Sequence, residues 1–393
     1  CLPDQAVRRA LEGKELGSGR VFLVALGKAA WQMARCAAEL LGPRLEQGVV
    51  VTKHGHSQGD IPRCQVFEGG HPVPDEGSFR GTRAAMELVQ DLAPQDTVVL
   101  LVSGGGSALF ERPLIPAEGL AQLTSALLAC GAEIVEMNTV RKRLSAVKGG
   151  RFAQLCAPAQ VYSIVLSDIL GDPLDMIASG PAYPDRSTCA QARAIAEKYQ
   201  LPLSGQARAL LDQETPKELD NVETVITGSV RELCSAAAAA CQRLGYETHI
   251  LTDQLCCQAR EAGSFLASIA RTHGQEGRSL AFLAGGETVV LLTGKGLGGS
   301  EQELSLSGAE GISSMENAVI FPLGSDGTYG PTDAAGGYVY GGTKERRARQ
   351  GWRIFEVLKN NDAYHALAAC GGLLHTGATG TNVNDVAVLL IRR

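Results

Sequence analysis

The sequence predicts an α/β protein with two α/β domains. The first has a Rossmann-like, mostly parallel sheet and the second a mixed sheet. Three observations carry this. Short, almost wholly apolar runs alternate with segments of helical character, the pattern of parallel strands covered on both faces. The length, 393 residues, exceeds one ordinary domain and suits two. Glycine, at 47 residues, clusters where the apolar runs end, which is where the backbone of an α/β protein approaches a ligand.

In chain order, residues 21–26 (VFLVAL) read as a buried strand and 29–41 as a helix. Strands follow at 49–52 and 65–68, then an amphipathic helix over 78–91. The most apolar strand is 97–102, which runs into the SGGGS turn at 103–107. Helices are expected at 117–130 and within 139–155, and a strand at 161–166. A polar helical region then leads to a Pro/Lys/Glu-rich stretch near 214–219, which sets the boundary between domains 1–218 and 219–393. The second series starts with a strand at 222–227, a helix at 230–244, a strand at 248–252 and a helix at 259–272. Further strands are read at 280–283, 289–293, 319–323, 373–375 and 386–391. The first two, separated by five residues, read as an antiparallel hairpin, which makes the second sheet mixed. Two such domains place an active site in the interdomain cleft.

Composition narrows the function. There are 36 Lys+Arg against 42 Asp+Glu, a net charge of -6 with no local basic stripe, so no nucleic acid is expected as a partner. The apolar runs are too short to cross a bilayer, so no membrane is expected either. Eleven cysteines are scattered without a C-x-x-C pair, which argues against thiolate metal sites and disulfide frameworks and for reduced thiols in a cytoplasmic protein. The chain opens at Cys1 rather than Met, so the lack of a targeting signal there carries little weight.

The common nucleotide fingerprints fail. Gly27-Lys28 is followed by alanine and lacks the glycine of a Walker A loop, and residues 294–299 give a G-x-G-x-G-G without a βαβ context. Other groups carry the chemistry. Ser103, Gly104, Gly105, Gly106 and Ser107 follow a strand, where successive N–H groups and two hydroxyls can cradle a phosphate or carboxylate, or simply form a tight turn. Lys28, at the end of the first strand, can neutralise a transferring phosphoryl group or sit solvated at a helix start. Asp168 follows a strand and can hold Mg²⁺ or deprotonate a hydroxyl, with Asp172 and Asp175 nearby. Glu287 and Asp326 supply further strand-end carboxylates as metal ligands, although Glu287 reads equally as a hairpin-tip charge. Asn382, in the last glycine-rich loop, can bind a polar ligand or cap its own backbone. His71, on a proline-stiffened loop, can bind substrate, move a proton or serve as a structural loop histidine. Asn138, Arg141, Lys142 and Lys148 form a basic group of which one or two members can reach an acidic substrate.

These blocks, in this order, resemble the class II glycerate kinase family, the D-glycerate 2-kinases whose C-terminal part is the MOFRL domain. The matching stretches are GKAAWQMA (27–34), VVVTKHGH (49–56), EGGHPVPDEG (68–77) and VSGGGSALF (102–110). They continue with EMNTVRKRLSAVKGGRFA (136–153), SDILGDPLDMIASGPAYPD (167–185), LAGGETVVLLTGKGLGG (283–299), GPTDAAGG (330–337) and TGATGTNVND (376–385). The resemblance implies two α/β domains with the active site between them. It implies transfer of the ATP γ-phosphoryl group, with Mg²⁺, to the 2-hydroxyl of D-glycerate, giving 2-phosphoglycerate. In that reading Lys28 and Asp168 are catalytic, and 103–107, His71, Lys148 and Asn382 bind substrate or phosphate. Asp168, Glu287 and Asp326 hold the metal.

Two positions depart from the family pattern. A family sequence GGRNQE stands here as Gly298-Gly299-Ser300-Glu301-Gln302-Glu303, which replaces an arginine regarded as catalytic and adds an acid. A family DGxDG carries Tyr329 in place of its second aspartate. These changes leave room for a slow kinase, for another cation such as Arg141 or Lys148, or for a ligand-sensing relative without turnover. Because relatives also carry the name hydroxypyruvate reductase, an NAD(P)H oxidoreductase is the other alternative. A homodimer is compatible with the sequence and not specified by it.

Overall fold

The N-terminal half is built on β1 (Val21–Leu26), β2 (Leu45–Lys53), β3 (Cys64–Gly69), β4 (Thr97–Val102), β5 (Gln160–Leu166) and β6 (Val222–Gly228). These form one six-stranded sheet in the order β3-β2-β1-β4-β5-β6. The structure is a computed structural model and describes residues 2–328, 332–349 and 351–393. Tyr329, one of the two departures from the family pattern, lies outside the described residues.

Every residue of β1 and of β4 is buried, which is why both read as unbroken apolar runs. β1 pairs in parallel with β2 on one side and with β4 on the other, and β2–β3 and β4–β5 are also parallel. Parallel neighbours need crossovers, which the helices Ala30–Leu41 and Glu76–Leu88 provide. The second begins with a capping box, in which Asp75 Oδ1 accepts from the Ser78 N–H at 3.1 Å. The chain travels outward from β1 through β2 to β3, then returns to β4 on the far side of β1. That reversal leaves the loops after β1 and β4 diverging at the carboxyl edge of the sheet, the place where open α/β sheets bind ligands.

The C-terminal half holds β7 (Glu247–Leu255), β8 (Leu280–Gly286), β9 (Ala318–Gly324), β10 (Gly336–Gly337), β11 (Val339–Tyr340), β12 (Leu373–Leu374) and β13 (Asp385–Ile391). The order is β12-β10-β9-β13-β8-β7, with β11 on β9. β13 runs antiparallel to both β8 and β9, and β7 runs parallel to β8, so this sheet is mixed. The chain divides into two compact units, one chiefly Pro3–Ser167 with Asp172–Thr227, the other chiefly Gly228–Arg393 with Asp168–Gly171. Each has its own apolar core.

Three local readings change. The strand expected to open the second series is β6, which closes the edge of the first sheet. The expected 280–283/289–293 hairpin does not form. Both edges of β8 are taken by β7 and β13, so the later segment makes only an isolated bridge, Val289 with Gln258. The helix expected within 139–155 is two, Ile134–Arg143 and Arg151–Cys156, separated by Gly149 and Gly150 at φ 61° and 84°. Among the described residues the ten cysteines are free thiols, and no helix is long and apolar enough to cross a membrane.

The entry to β1 is pinned to the entry to β4 by one carboxylate. Asp96, 2% exposed, accepts from Arg20 N at 2.9 Å, from Ala93 N at 2.9 Å and from Arg20 Nη2 at 2.7 Å. The Arg20 guanidinium holds the Asp96 carboxyl below its ordinary value, against the cost of burial. A depressed folded value means the stabilisation is present above the unfolded pKa of about 3.9 and is lost as pH falls through the folded one. Asp96→Ala should therefore lower the urea midpoint strongly at pH 7. The gap to wild type should narrow as the pH is taken below about 3.9, where Asp96 of the unfolded chain takes up a proton before the folded one does.

Candidate active site

Four loops leave the carboxyl edge of the N-terminal sheet: Gly27-Lys28 after β1, 54–56 after β2, Gly70-His71 after β3 and 103–107 after β4. The loops after β1 and β4 are laced together by backbone and by one hydroxyl. Lys28 N donates to Gly104 O at 2.8 Å. Ser103 Oγ donates to Leu26 O at 3.2 Å and accepts from Ala29 N at 3.1 Å. Ser103 is 3% exposed, so its hydroxyl builds the loop and does not face a ligand.

The turn brings two candidates to one point. Gly105 sits at φ 84°, and a Cβ there would lie 3.0 Å from His71 Cδ2 and 3.1 Å from Lys28 Cε. His71 and Lys28 thus flank the glycine from two other strand ends, and a side chain at 105 would displace them. Among the described residues no acceptor pairs with the N–H groups of Gly104, Gly105, Gly106 or Ser107, and no group pairs with the Lys28 ammonium. Successive unpaired N–H groups beside a cation are an arrangement that can receive an anion. Burial, and the positive charges of Lys28 and Lys53 with His56, lower the His71 pKa and keep its ring neutral. A neutral imidazole can both donate and accept a proton.

Ser107 is held from behind. Its hydroxyl lies 2.9 Å from Ser179 Oγ, which donates to Asn138 Oδ1 at 3.0 Å. Ala178 and Ser179 occupy left-handed backbone at φ 51° and 60°, a conformation costly for residues with a Cβ. A Cβ on Gly106 would lie 2.6 Å from Ala178 Cβ, so the two loops meet backbone to backbone.

Lys148 does not line this cradle. It is fully buried, and its Nζ donates to Ser107 O at 2.8 Å and Phe110 O at 2.9 Å. Glu111 Oε2 lies 3.1 Å away as counter-ion, although neither oxygen of that carboxylate has hydrogen-bonding geometry to a partner. Burial pushes the Lys148 ammonium down and Glu111 pushes it back up. All its contacts are internal, so Lys148 holds the segment after the cradle.

The C-terminal unit gathers the acids. Asn384, at φ 62°, donates from Nδ2 to Asp168 O at 3.1 Å and to Glu287 Oε2 at 3.2 Å, joining the segment after β5 to the end of β8. A Cβ on Gly324 would lie 3.1 Å from Asp326 Oδ1 and 3.3 Å from Asp385 Oδ1. Asp385 in turn meets Glu301, 1% exposed, at the start of the helix Ser300–Gly311. Ser300 Oγ donates to Glu301 Oε1 at 3.2 Å, while no donor is aimed at Oε2. Two adjacent buried carboxyl groups need a proton between them. Burial and Asp385 raise the Glu301 pKa well above the ordinary range. Burial, Asp326 and Glu287 push Asp385 up to about 6, against the Glu301 hydrogen bond.

This all-oxygen, cation-hungry cluster suits a hard divalent ion. The expected ligands do not form a ready cage, however. Among the described residues no three His, Cys, Asp or Glu converge on a metal-holding point. Asn382 caps its own loop, its Oδ1 accepting from Asn384 N at 3.1 Å. Sequence reasoning did not select Asp385 or Glu301 as site residues, since one opens an apolar strand and the other a glycine-flanked helix. The signal available was an acid at the start of a buried element, Asp385 first in β13 and Glu301 second in its helix.

Comparison with known proteins agrees with the sequence resemblance. A family model described as a domain of unknown function, DUF4147, matches residues 1–212, and the MOFRL family model matches 280–385. The chain is 50% identical to the D-glycerate 2-kinase of Thermotoga maritima, covering 99% of this chain and 94% of that one. It is 40% identical to the glycerate 2-kinase of Pyrococcus horikoshii, covering 97% and 90%. It is also 38% identical to an Agrobacterium vitis protein carrying a hydroxypyruvate reductase name, covering 95% and 87%. The crystal structure of the Thermotoga maritima glycerate kinase superposes with a TM-score of 0.96, covering 99% of this chain and 95% of that one.

The buried Lys148–Glu111 pair gives a stability prediction. Lys148→Met leaves Glu111 buried and uncompensated and should cost about 3–5 kcal/mol in urea unfolding. Adding Glu111→Gln should recover a large part of that loss. An additive double mutant would show that the two groups act independently.

Proposed function

This chain belongs to the class II glycerate kinase family, and we propose that within it the chain transfers the γ-phosphoryl group of ATP to the 2-hydroxyl of D-glycerate, releasing 2-phosphoglycerate. The observation that supports this most is the cradle itself. Four unpaired N–H groups lie at the strand-order reversal, with an unpaired Lys28 ammonium beside them.

Phosphoryl transfer needs positioning and charge neutralisation more than covalent help from the protein. In this reading the N–H groups of 104–107 hold the oxygens of an anionic group in place, and the Lys28 ammonium offsets the charge that builds on the transferring phosphoryl oxygens. His71, neutral, orients the acceptor by hydrogen bonding. The side chain of Asp168 takes the proton of the 2-hydroxyl, its backbone fixed through Asn384. Glu287, Asp326 and Asp385 are the acids that would hold Mg²⁺, which when bound supplies a fixed positive charge to the phosphate oxygens. Ser300, fully buried at a helix start, has no cationic replacement within its own helix turn, so the cation has to come from elsewhere in the chain.

A coupled assay with ATP, Mg²⁺ and D-glycerate, resolving 2- from 3-phosphoglycerate, tests the reading. Wild type is expected to produce 2-phosphoglycerate, and Lys28→Met to lose about 10²–10³-fold in kcat. NADH oxidation with hydroxypyruvate in place of kinase turnover would instead favour the reductase name carried by some relatives. Ligand-induced thermal stabilisation without turnover of either kind would indicate a sensor.

A further inference from the structure

The basic residues between 141 and 151 differ sharply in what they have left to offer a ligand. Lys142 Nζ is shared by Asp185 at 3.2 Å and Asp175 at 3.4 Å. Arg143 donates to Thr139 O, to Ser187 Oγ and O, and to Glu214 Oε2. Arg151 Nη1 serves the carbonyls of Lys142, Arg143 and Ser145. Lys148 is consumed by Ser107 O, Phe110 O and Glu111.

Arg141 is different. It stands half-buried near the end of the helix Ile134–Arg143 and makes one long contact, Nη2 to Ser107 O at 3.4 Å. Its Nε, like that of Arg143, is shielded from solvent and has no hydrogen-bond partner, but here, among the described residues, Nη1 pairs with nothing as well. A guanidinium carries five donors in a planar fork, and a shielded donor without an acceptor is costly to maintain. Its one contact is to Ser107, the last residue of the cradle. Among the described residues no carboxylate pairs with it, and Glu111 is taken by Lys148. Arg141 also adds to the push that lowers the Lys148 pKa, after burial, so its charge is felt beneath the loop.

We propose that Arg141 is the substrate-binding guanidinium of this chain, its Nη1/Nη2 edge taking the carboxylate of the 2-hydroxy acid beside the 103–107 loop. The proposal rests on the kinase reading for the identity of the acid. A carboxylate is the favoured partner because its two oxygens match the fork and give two parallel charge-assisted hydrogen bonds. That geometry fixes the orientation of the acid as well as its position, so it selects hydroxy acids over neutral polyols.

The test compares wild type, Arg141→Met and Arg141→Lys, with folding checked by circular dichroism. Arg141→Met is expected to raise the KM for D-glycerate roughly 10- to 100-fold while leaving the nucleotide KM within about twofold. Arg141→Lys, which keeps the charge and loses the fork, should recover only part of the effect. In thermal-shift titrations wild type should prefer D-glycerate to glyceramide, its neutral amide, and Arg141→Met should lose that preference. An unchanged glycerate KM in Arg141→Met, or a rise in the nucleotide KM in its place, overturns the proposal. A wild type that binds D-glycerate without phosphorylating it defeats the kinase reading alone, because the glycerate-against-glyceramide comparison still reports on Arg141. A wild type showing no carboxylate-dependent shift defeats the Arg141 assignment. If Arg141→Met fails to fold, Arg141→Lys carries the KM comparison, and an unchanged glycerate KM there overturns the fork.

Discussion

The contact on which the candidate site depends is that between Ser103 and the end of β1. One buried hydroxyl joins Leu26 O to Ala29 N, and the neighbouring backbone bond runs from Lys28 N to Gly104 O. Together they bind two loops that the strand order would otherwise send in opposite directions. The fit allows no slack. At Gly27, φ 113°, a Cβ would lie 2.3 Å from Ser103 Oγ. With the loops tied, Lys28 is aimed across Gly105 toward His71, and the N–H groups of 104–107 are left without acceptors. Loosening this contact would cost the fold little and the cradle its shape.

A second layer of residues supports the first without touching its open face. Lys148 binds the carbonyl of Ser107 and Ser179 its hydroxyl, Asn138 in turn accepts from Ser179, and the strained backbone at Ala178 and Ser179 is held by that packing. Strain of this kind persists only where the surroundings over-determine it. The C-terminal unit works by the opposite electrostatics. It collects Glu287, Glu301, Asp326 and Asp385, where mutual repulsion and burial raise the Glu301 and Asp385 pKa values and the Asn384 amide donates to Glu287. Glu301 stands where the family pattern carries an amide, so this close carboxyl pair follows from the chain's own sequence.

Much of this was legible in the sequence, and the limits have physical causes. β1 and β4 were readable because burial on both faces leaves no polar residue to break the run. The glycine-rich turn at 103–107 was readable because five small residues follow a buried apolar strand. The assignment of β6 to the first sheet and the absence of the hairpin after β8 were not, since pairing partners are decided by which strand edges remain free. Lys148 was read as facing substrate because a lysine is seldom fully buried, and its counter-ion Glu111 lies 37 residues away in the chain, too far for a pattern to reveal. Asp385 was hidden by the apolar strand it opens.

The central claim is that the N–H groups of the 103–107 loop receive the anion. Selective ¹⁵N-glycine labelling allows the amides of Gly104, Gly105 and Gly106 to be followed while D-glycerate, 2-phosphoglycerate or inorganic phosphate is titrated in. Downfield amide proton shifts confined to these residues, and abolished by Ser103→Val in a chain that still folds, are what the account predicts. Saturable ligand binding that leaves these three amides unmoved would contradict it and send the search for the anion site elsewhere in the chain.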